Sequence, residues 1–271
     1  TPLWSYETGD NVQSVAISAD GEYIVAGTSG VDKKVYLFDK DSSTPLWSYT
    51  TGDYVWSVAI SADGEYITAG SSDYKVYLFD KDSSTPLWNY TTGDDVYTVA
   101  ISADGEYIVA GSEDNKVYLF DKDSSTPIWS YTAEGNVESV SLSADGEYIT
   151  AMDNGKKLLL FAKDSSTPIW SHYLSDDDDS FEWMAQSESG DYIVASTAHY
   201  DEDGSEYGLN LYGKDSSTPL WSYDTGSSVI SVSISADGEH IVTSSVDGSQ
   251  SGKIHLFDKD SSTPLWDYTA E

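Results

Sequence analysis

Apolar and polar positions alternate along this chain in short runs broken by turn signals. In one clean stretch, Val55-Trp-Ser-Val-Ala-Ile60 alternates as a half-buried strand does. Ser61-Ala-Asp-Gly64 then reads as a tight turn in which Gly64 supplies a positive φ. Glu65-Tyr-Ile-Thr-Ala-Gly70 is a second strand, Ser71-Ser-Asp-Tyr74 a loop, and Lys75-Val-Tyr-Leu-Phe79 a third strand. Asp80-Lys-Asp-Ser-Ser-Thr-Pro86 turns the chain into a fourth strand, Leu87-Trp-Asn-Tyr90. Pro86 cannot donate to a ladder, which suits the start of an outermost strand.

The same four-strand pattern, A to D, recurs along the chain. Its tryptophans fall at Trp4, Trp47, Trp88, Trp129, Trp170, Trp221 and Trp266, spaced 43, 41, 41, 41, 51 and 45 residues apart. A strand-rich period in the low forties predicts an all-β fold, a β-propeller of four-stranded antiparallel blades. Strands A to C occur six times, which predicts six blades at about 12–50, 55–91, 96–132, 137–173, 181–223 and 229–268 in a single domain spanning 1–271. Strand D occurs seven times, because Thr1–Tyr6 is an extra copy. Residues 1–11 are therefore expected to be a closing strand and loop, with the N- and C-terminal strands pairing to close the ring. The chain opens at Thr1 inside a repeat, which reads as a processed or excised piece whose targeting signal is gone.

Composition narrows the partners. The chain carries 47 Asp and Glu against 13 Lys, a net charge of −34, with no Arg and no Cys. Nucleic acid and anionic membrane surfaces need clustered cations and are not expected partners. Without Arg there is no bidentate recognition of phosphate or carboxylate, and without Cys there is no disulfide or thiolate metal site. No apolar run approaches the roughly 18 residues of a membrane-spanning helix, so membrane insertion is not expected. Such acidity suits high salt or a crowded exterior, and favours a secreted or cell-surface setting.

Two families meet in these residues. The run S-x-D-G-x-Y-I-x-A-G-S-x-D within Val55–Phe79 resembles the WD40-type blade. Val76-Tyr-Leu-Phe-Asp-Lys-Asp-Ser-Ser-Thr-Pro-Leu-Trp88 is similar to the PQQ-type repeat of quinoprotein propellers, with Asp80 eight residues before Trp88. That spacing recurs at Asp39/Trp47, Asp121/Trp129 and Asp258/Trp266, while Ser-Ser replaces the family's Thr-Gly in every copy. The resemblance implies the fold. The quinoprotein enzymes use a larger ring, an arginine near the quinone and in some cases a vicinal cysteine pair, so it implies neither that cofactor nor that chemistry here.

Where the copies differ is more informative. The A–B turn reads S-A-D-G-E in five of six copies and the C–D turn K-D-S-S-T-P in all six. The D–A and B–C loops vary, as does one position inside strand A: Gln13, Trp56, Tyr97, Glu138, Glu182 and Ile230. This variable rim gathers Tyr54, Trp56, Tyr74, Asp95 and Tyr97 in blades 2 and 3, aromatic anchors of the kind that bind a protein or a glycan. Drift in tolerant loops is the competing explanation.

Catalytic and metal chemistry have less to stand on. Glu138 and Glu182 occupy equivalent positions in adjacent blades and are the carboxylates a propeller hydrolase or lyase would use. Asp176, Asp178, Asp201 and Asp203 offer oxygens for Ca²⁺, the one cofactor considered, but the Gly and Glu of a calcium loop are missing and a solvated acidic loop is the better reading. The 1-3-5 oxygens of Asp39-Lys-Asp41-Ser-Ser43 suit local backbone bonds, and His172, His199, His240 and His255 are scattered. The sequence thus reads as a non-enzymatic binding or assembly scaffold. Self-repulsion at −34 is relieved by screening, so raising salt from millimolar to molar should raise the melting temperature. A melt that does not move would contradict that charge reading.

Overall fold

The computed structural model describes every residue except 155, 175–178, 202–203, 247–251 and 271. The described residues form strands, turns and loops, with no helix. Blade 1 is β1 (Val12–Ile17), β2 (Tyr23–Thr28), β3 (Lys34–Asp39) and β4 (Trp47–Thr50); blade 2 is β5 (Val55–Ile60), β6 (Tyr66–Ser71), β7 (Lys75–Asp80) and β8 (Trp88–Thr91). Blade 3 is β9 (Val96–Ile101), β10 (Tyr107–Ser112), β11 (Lys116–Asp121) and β12 (Trp129–Thr132); blade 4 is β13 (Val137–Leu142), β14 (Tyr148–Asp153), β15 (Lys157–Ala162) and β16 (Trp170–Tyr173). Blade 5 is β17 (Asp179–Gln186), β18 (Tyr192–Asp201), β19 (Gly204–Gly213) and β20 (Trp221–Asp224); blade 6 is β21 (Ser228–Ile234), β22 (His240–Val246), β23 (Gly252–Asp258) and β24 (Trp266–Ala270). Each blade is one antiparallel sheet with strands in sequence order. This is the strand complement of a six-bladed β-propeller.

The chain divides into two compact units, Thr1–Val140 and Ser141–Glu271, with the boundary inside β13. In each unit the core lies between successive blades. Val25, Val35 and Leu37 of blade 1 pack with Val55, Val58, Ile67 and Phe79 of blade 2. In the second unit Val194, Leu209 and Leu211 of blade 5 pack with Ile241 and Phe257 of blade 6. The B strands must approach closely: a Cβ added at Gly27 would lie 2.7 Å from a methyl of Val55, and one at Gly70 equally near Val96.

The repeated tryptophans fasten blade to blade. Trp47 Nε1–H donates to the Lys81 carbonyl at 2.7 Å and its ring lies 5.3 Å from Phe79 of the next blade. Trp88 treats Lys122 and Phe120 alike, at 2.7 and 5.3 Å. Trp170 reaches Lys214 at 2.9 Å and Trp221 reaches Lys259 at 2.8 Å. The contact survives the Ser-Ser substitution because its acceptor is a backbone carbonyl.

The closing strand expected within residues 1–11 is not formed. Blade 6 is completed by its own β24, and residues 1–11 contain no strand. Thr1–Tyr6 docks by side chains instead: Trp4 Nε1–H donates to the Lys40 carbonyl at 2.6 Å, and its ring stacks 5.5 Å from Phe38. The T-P-L-W string can satisfy its indole without joining a ladder, which explains the difference.

At the D–A and B–C end of the first unit, one aspartate per blade pins the incoming chain. Asp73 accepts Gly52 N–H at 2.7 Å and the Tyr77 hydroxyl; Asp114 does the same for Gly93, at 2.8 Å, and Tyr118. Asp32 serves Gly9 and Tyr36 at 3.3 and 2.8 Å. Burial, then the bond to Asp73, pushes the Tyr77 hydroxyl far above its ordinary pKa, so it stays a donor. Asp73→Ala leaves a buried hydroxyl and an amide unpaired and should cost about 2–3 kcal/mol. Tyr77→Phe should cost about 1 kcal/mol, and the double variant less than the sum, because both remove one contact. Urea unfolding of the four proteins checks this; strict additivity would sink it.

Candidate functional site

The two ends of a blade are held by different forces. At the A–B and C–D end, Ser61 Oγ–H donates to Asp63, and Asp63 accepts Glu65 N–H at 3.0 Å, closing a turn whose Gly64 has φ +76°. The turn then meets its neighbours: Ala19 N–H donates to Ala62 O, and Ala62 N–H to Ala103 O, both at 2.9 Å. A Cβ on Gly64 would sit 2.5 Å from the Tyr23 ring of the preceding blade. Lys81 of the C–D turn, whose carbonyl receives Trp47, also pairs with Glu65 at 2.8 Å. Each copy of these turns is thus a packing surface for the next, and this is why they stay constant. The Asp39, Asp80, Asp121 and Asp258 side chains each accept the N–H two residues on, at 2.8 to 2.9 Å, the local bonding expected of them.

The opposite end has a different local cause. In strands A of blades 1, 2, 3, 5 and 6 the pairing register slips by one residue, between Val12 and Ser14, Val55 and Ser57, Val96 and Thr98, Phe181 and Trp183, and Val229 and Ser231. The skipped residue is the variable one: Gln13, Trp56, Tyr97, Glu182 or Ile230. A β-bulge leaves its extra residue out of the ladder and re-aims the side chain. The position is therefore free to change without breaking the sheet.

Around the bulges of the first unit runs a repeated polar relay. Gln13 donates to Ser29 Oγ at 2.7 Å, Trp56 Nε1–H to Ser72 Oγ at 2.6 Å, and the Tyr97 hydroxyl to Glu113 at 2.7 Å. The acceptor then reaches the next blade's D–A loop: Ser72 donates to Asp95 at 2.7 Å, and Glu113 accepts from Asn136 at 3.2 Å. The bond to Glu113, with burial second, holds the Tyr97 hydroxyl protonated, its pKa pushed up to about 12. Tyr54, at the position of Asp95 and Asn136, makes no such bond. Its ring instead lies edge-to-face on Trp56, and Trp56 edge-to-face on Tyr97, each at 6.0 Å between centroids. Lys33 Nζ stands 5.6 Å over the Tyr54 ring and pairs with Asp53 at 2.9 Å.

Of the five residues singled out in the sequence, Tyr54, Trp56, Asp95 and Tyr97 form one contiguous row. Tyr54 is exposed, and the other three are half-buried. Tyr74 belongs to the same end through its backbone, since its carbonyl accepts Thr92 N–H at 2.8 Å, and its side chain is 45% exposed. It occupies a turn position with φ +68°, held elsewhere by Lys33, Asn115 and Lys156. Ser72, Glu113 and Asn136, which orient the row, were not singled out. Their signal is present in the sequence as spacings: Ser72 and Glu113 stand 16 residues after Trp56 and Tyr97, and Asn136 stands 23 after Glu113, as Asp95 does after Ser72.

Glu138 is exposed on β13 in the first unit, and Glu182 is exposed on β17 in the second, where it accepts from Ser180 at 2.7 Å. Asp176, Asp178, Asp203 and the Asp201 side chain lie outside the described residues. Among the described residues no group of three His, Cys, Asp or Glu is placed to hold a metal ion. His255 is buried beside Tyr223 and Phe257, and His199 Nδ1 bonds Asp179 at 2.7 Å on a cavity of about 390 Å³ that Glu206 and Asp224 also line.

Comparison with known families agrees with this architecture. Residues 31–268 match the family model described as outer membrane protein assembly factor BamB, of the PQQ-like repeat type. Residues 1–39 match the model described as WD domain, G-beta repeat. No curated protein matches the chain.

The left-handed backbone of Tyr74 is a measurable cost. A residue other than Gly or Asn there loses about 1–2 kcal/mol, so Tyr74→Asn, the residue of blade 3, should stabilise the protein by about 1 kcal/mol. A thermal melt that falls on this substitution would show that the Tyr74 side chain contributes more to the fold than its exposure implies.

Proposed function

We propose that this chain, which belongs to the family described as outer membrane protein assembly factor BamB, is a non-enzymatic binding module that grips a protein partner with the bulge row of blades 2 and 3. Repeat-propeller families of the two matching kinds typically mediate protein interaction or assembly. The observation that carries the finer reading is the row Tyr54–Trp56–Tyr97, three aromatic side chains in edge-to-face contact on a surface otherwise dominated by carboxylates.

Its chemistry suggests what it holds. Trp56 and Tyr97 have their polar atoms already bonded to Ser72 and Glu113. What they offer a partner is aromatic face and edge, on side chains fixed in place beforehand, which lowers the entropy lost on binding. Asp94 and Asp95 stand beside Tyr97, and Asp95 accepts from Ser72. A segment with an apolar or aromatic anchor flanked by Lys or Arg fits this surface. The net charge would speed the encounter and make it salt-sensitive.

A pull-down from native extract with two baits tests the reading, the wild type and Trp56→Ala/Tyr97→Ala, after matching their melts. Loss of two such anchors should weaken capture by about 2 kcal/mol or more, roughly thirtyfold. Glu138→Gln should leave capture within about 1 kcal/mol, the worth of one hydrogen bond. Equal capture by both baits would show that the row is drift on a structural scaffold. Loss of a substrate turnover in Glu138→Gln would transfer the function to the carboxylates.

A further inference from the structure

Blade 5 breaks the repeat at one place on its C strand. In the other five blades a lysine opens this strand's pairing with strand D: Lys34, Lys75, Lys116 and Lys253 each stand opposite a Thr, and Lys157 opposite Tyr173. In blade 5 the pair is Gly208 and Asp224. The cation is gone, and a carboxylate has arrived across from the gap. Two residues on, Asn210 stands at the position of Tyr36, Tyr77 and Tyr118, so a second long side chain is missing from the same face.

The register shows what surrounds the gap. Directly paired residues of antiparallel strands share a face, as do residues two apart on one strand. Asp179, His199 and Glu206 form one row across β17, β18 and β19, and Thr197, Gly208 and Asp224 form the next row across β18, β19 and β20. Phe181 of the same face packs with Leu158 and Leu160 of blade 4, within the second unit. The two rows line the cavity of about 390 Å³, with Leu174, Tyr207 and Tyr223 among its other walls and no lysine. His199 Nδ1, bonded to Asp179 Oδ1 at 2.7 Å, holds that carboxylate in place.

We propose that this cavity binds a primary alkylammonium group, which takes the place of the lysine that blade 5 lacks. Blade 1 shows the arrangement with its own lysine present: Lys34 Nζ lies 3.3 Å from Asp32 and 5.6 Å over the Tyr36 ring. Blade 5 keeps carboxylates and aromatic walls and omits the ammonium. A positive charge among Asp179, Glu206 and Asp224 gains by attraction, and its methylenes gain by contact with Leu174 and the tyrosine rings. No group of three metal-ligating side chains occurs among the described residues, whereas the volume suits one small organic ligand or one side chain. The same ammonium is offered by a free diamine and by a lysine of a partner protein.

Backbone-assigned ¹H–¹⁵N spectra, titrated at physiological ionic strength, test the proposal. The probes are cadaverine, a blocked Gly-Lys-Gly peptide and 1,5-pentanediol, which has cadaverine's carbon chain without its charge. Both amines should give saturable shifts centred on the amides of Thr197, His199, Gly208 and Asp224, and the diol none. Tighter binding of the diamine would identify the ligand as a free amine, and tighter binding of the peptide as a partner's lysine. Gly208→Lys restores the residue of the other blades and should abolish saturable binding. Asp224→Asn, which can still accept the Gly226 N–H that Asp224 accepts at 2.8 Å, should weaken binding about tenfold. Melts establish that both variants fold. Shifts that never saturate and spread over the acidic surface overturn the proposal. So does binding of the diol as tight as that of the amines, or an affinity unchanged in the folded variants.

Discussion

The indole-to-carbonyl contact between successive blades is the constraint on which the rest depends. β8, the D strand of blade 2, is four residues long, sits at the edge of its sheet and alternates half-buried with exposed positions, so its own ladder gives it little. Trp88 compensates by reaching into the next blade, placing its ring on Phe120 and its N–H on the Lys122 carbonyl. That fixes the distance and tilt at which the next blade lies. The bonds between A–B turns and the close packing of Gly70 on Val96 can form only at that spacing.

From this follows a division between the two ends of a blade. One end is committed to packing: its turns donate backbone bonds to the next blade, and its lysine carbonyl receives the indole. The other end is pinned by an aspartate, and the strand there carries a bulge whose side chain the ladder does not use. The pinning device is itself expendable in places. Tyr77 and Tyr118 are tied to Asp73 and Asp114, whereas Leu159, Asn210 and His255 stand at the tyrosine position of blades 4, 5 and 6. In blade 4 the aspartate has gone with it, replaced in the sequence by Gly155. In blade 4 the hydroxyl and the carboxylate that satisfies it are lost together, which leaves neither as a buried polar group without its partner.

Much of this was legible in the chain. Period-2 alternation placed the strands, the repeated Ser-Ala-Asp-Gly placed turns whose glycines do take positive φ, and the tryptophan period placed the blades. Three things were not read. The bulges are encoded as Val55-x-x-Val58, two buried valines three apart where a regular strand would separate them by two or four, and the alternation concealed this. The tryptophan acceptor is a backbone carbonyl, invisible to side-chain motifs, so the Ser-Ser substitution said nothing about it. The fate of Thr1–Tyr6 depends on whether its string pairs through its backbone or docks through Trp4 alone, and the same residues serve both.

Hydrogen exchange of the indole N–H groups, followed by ¹⁵N-resolved spectra and assigned with single Trp→Phe variants, tests the central claim most directly. The indoles of Trp47, Trp88, Trp170 and Trp221 should exchange slowly, at rates set by the parting of blades, while Trp183, which is 46% exposed, exchanges at the rate of an open indole. Fast exchange at all four docked positions in a folded protein would show that the blades are held together by something other than these contacts.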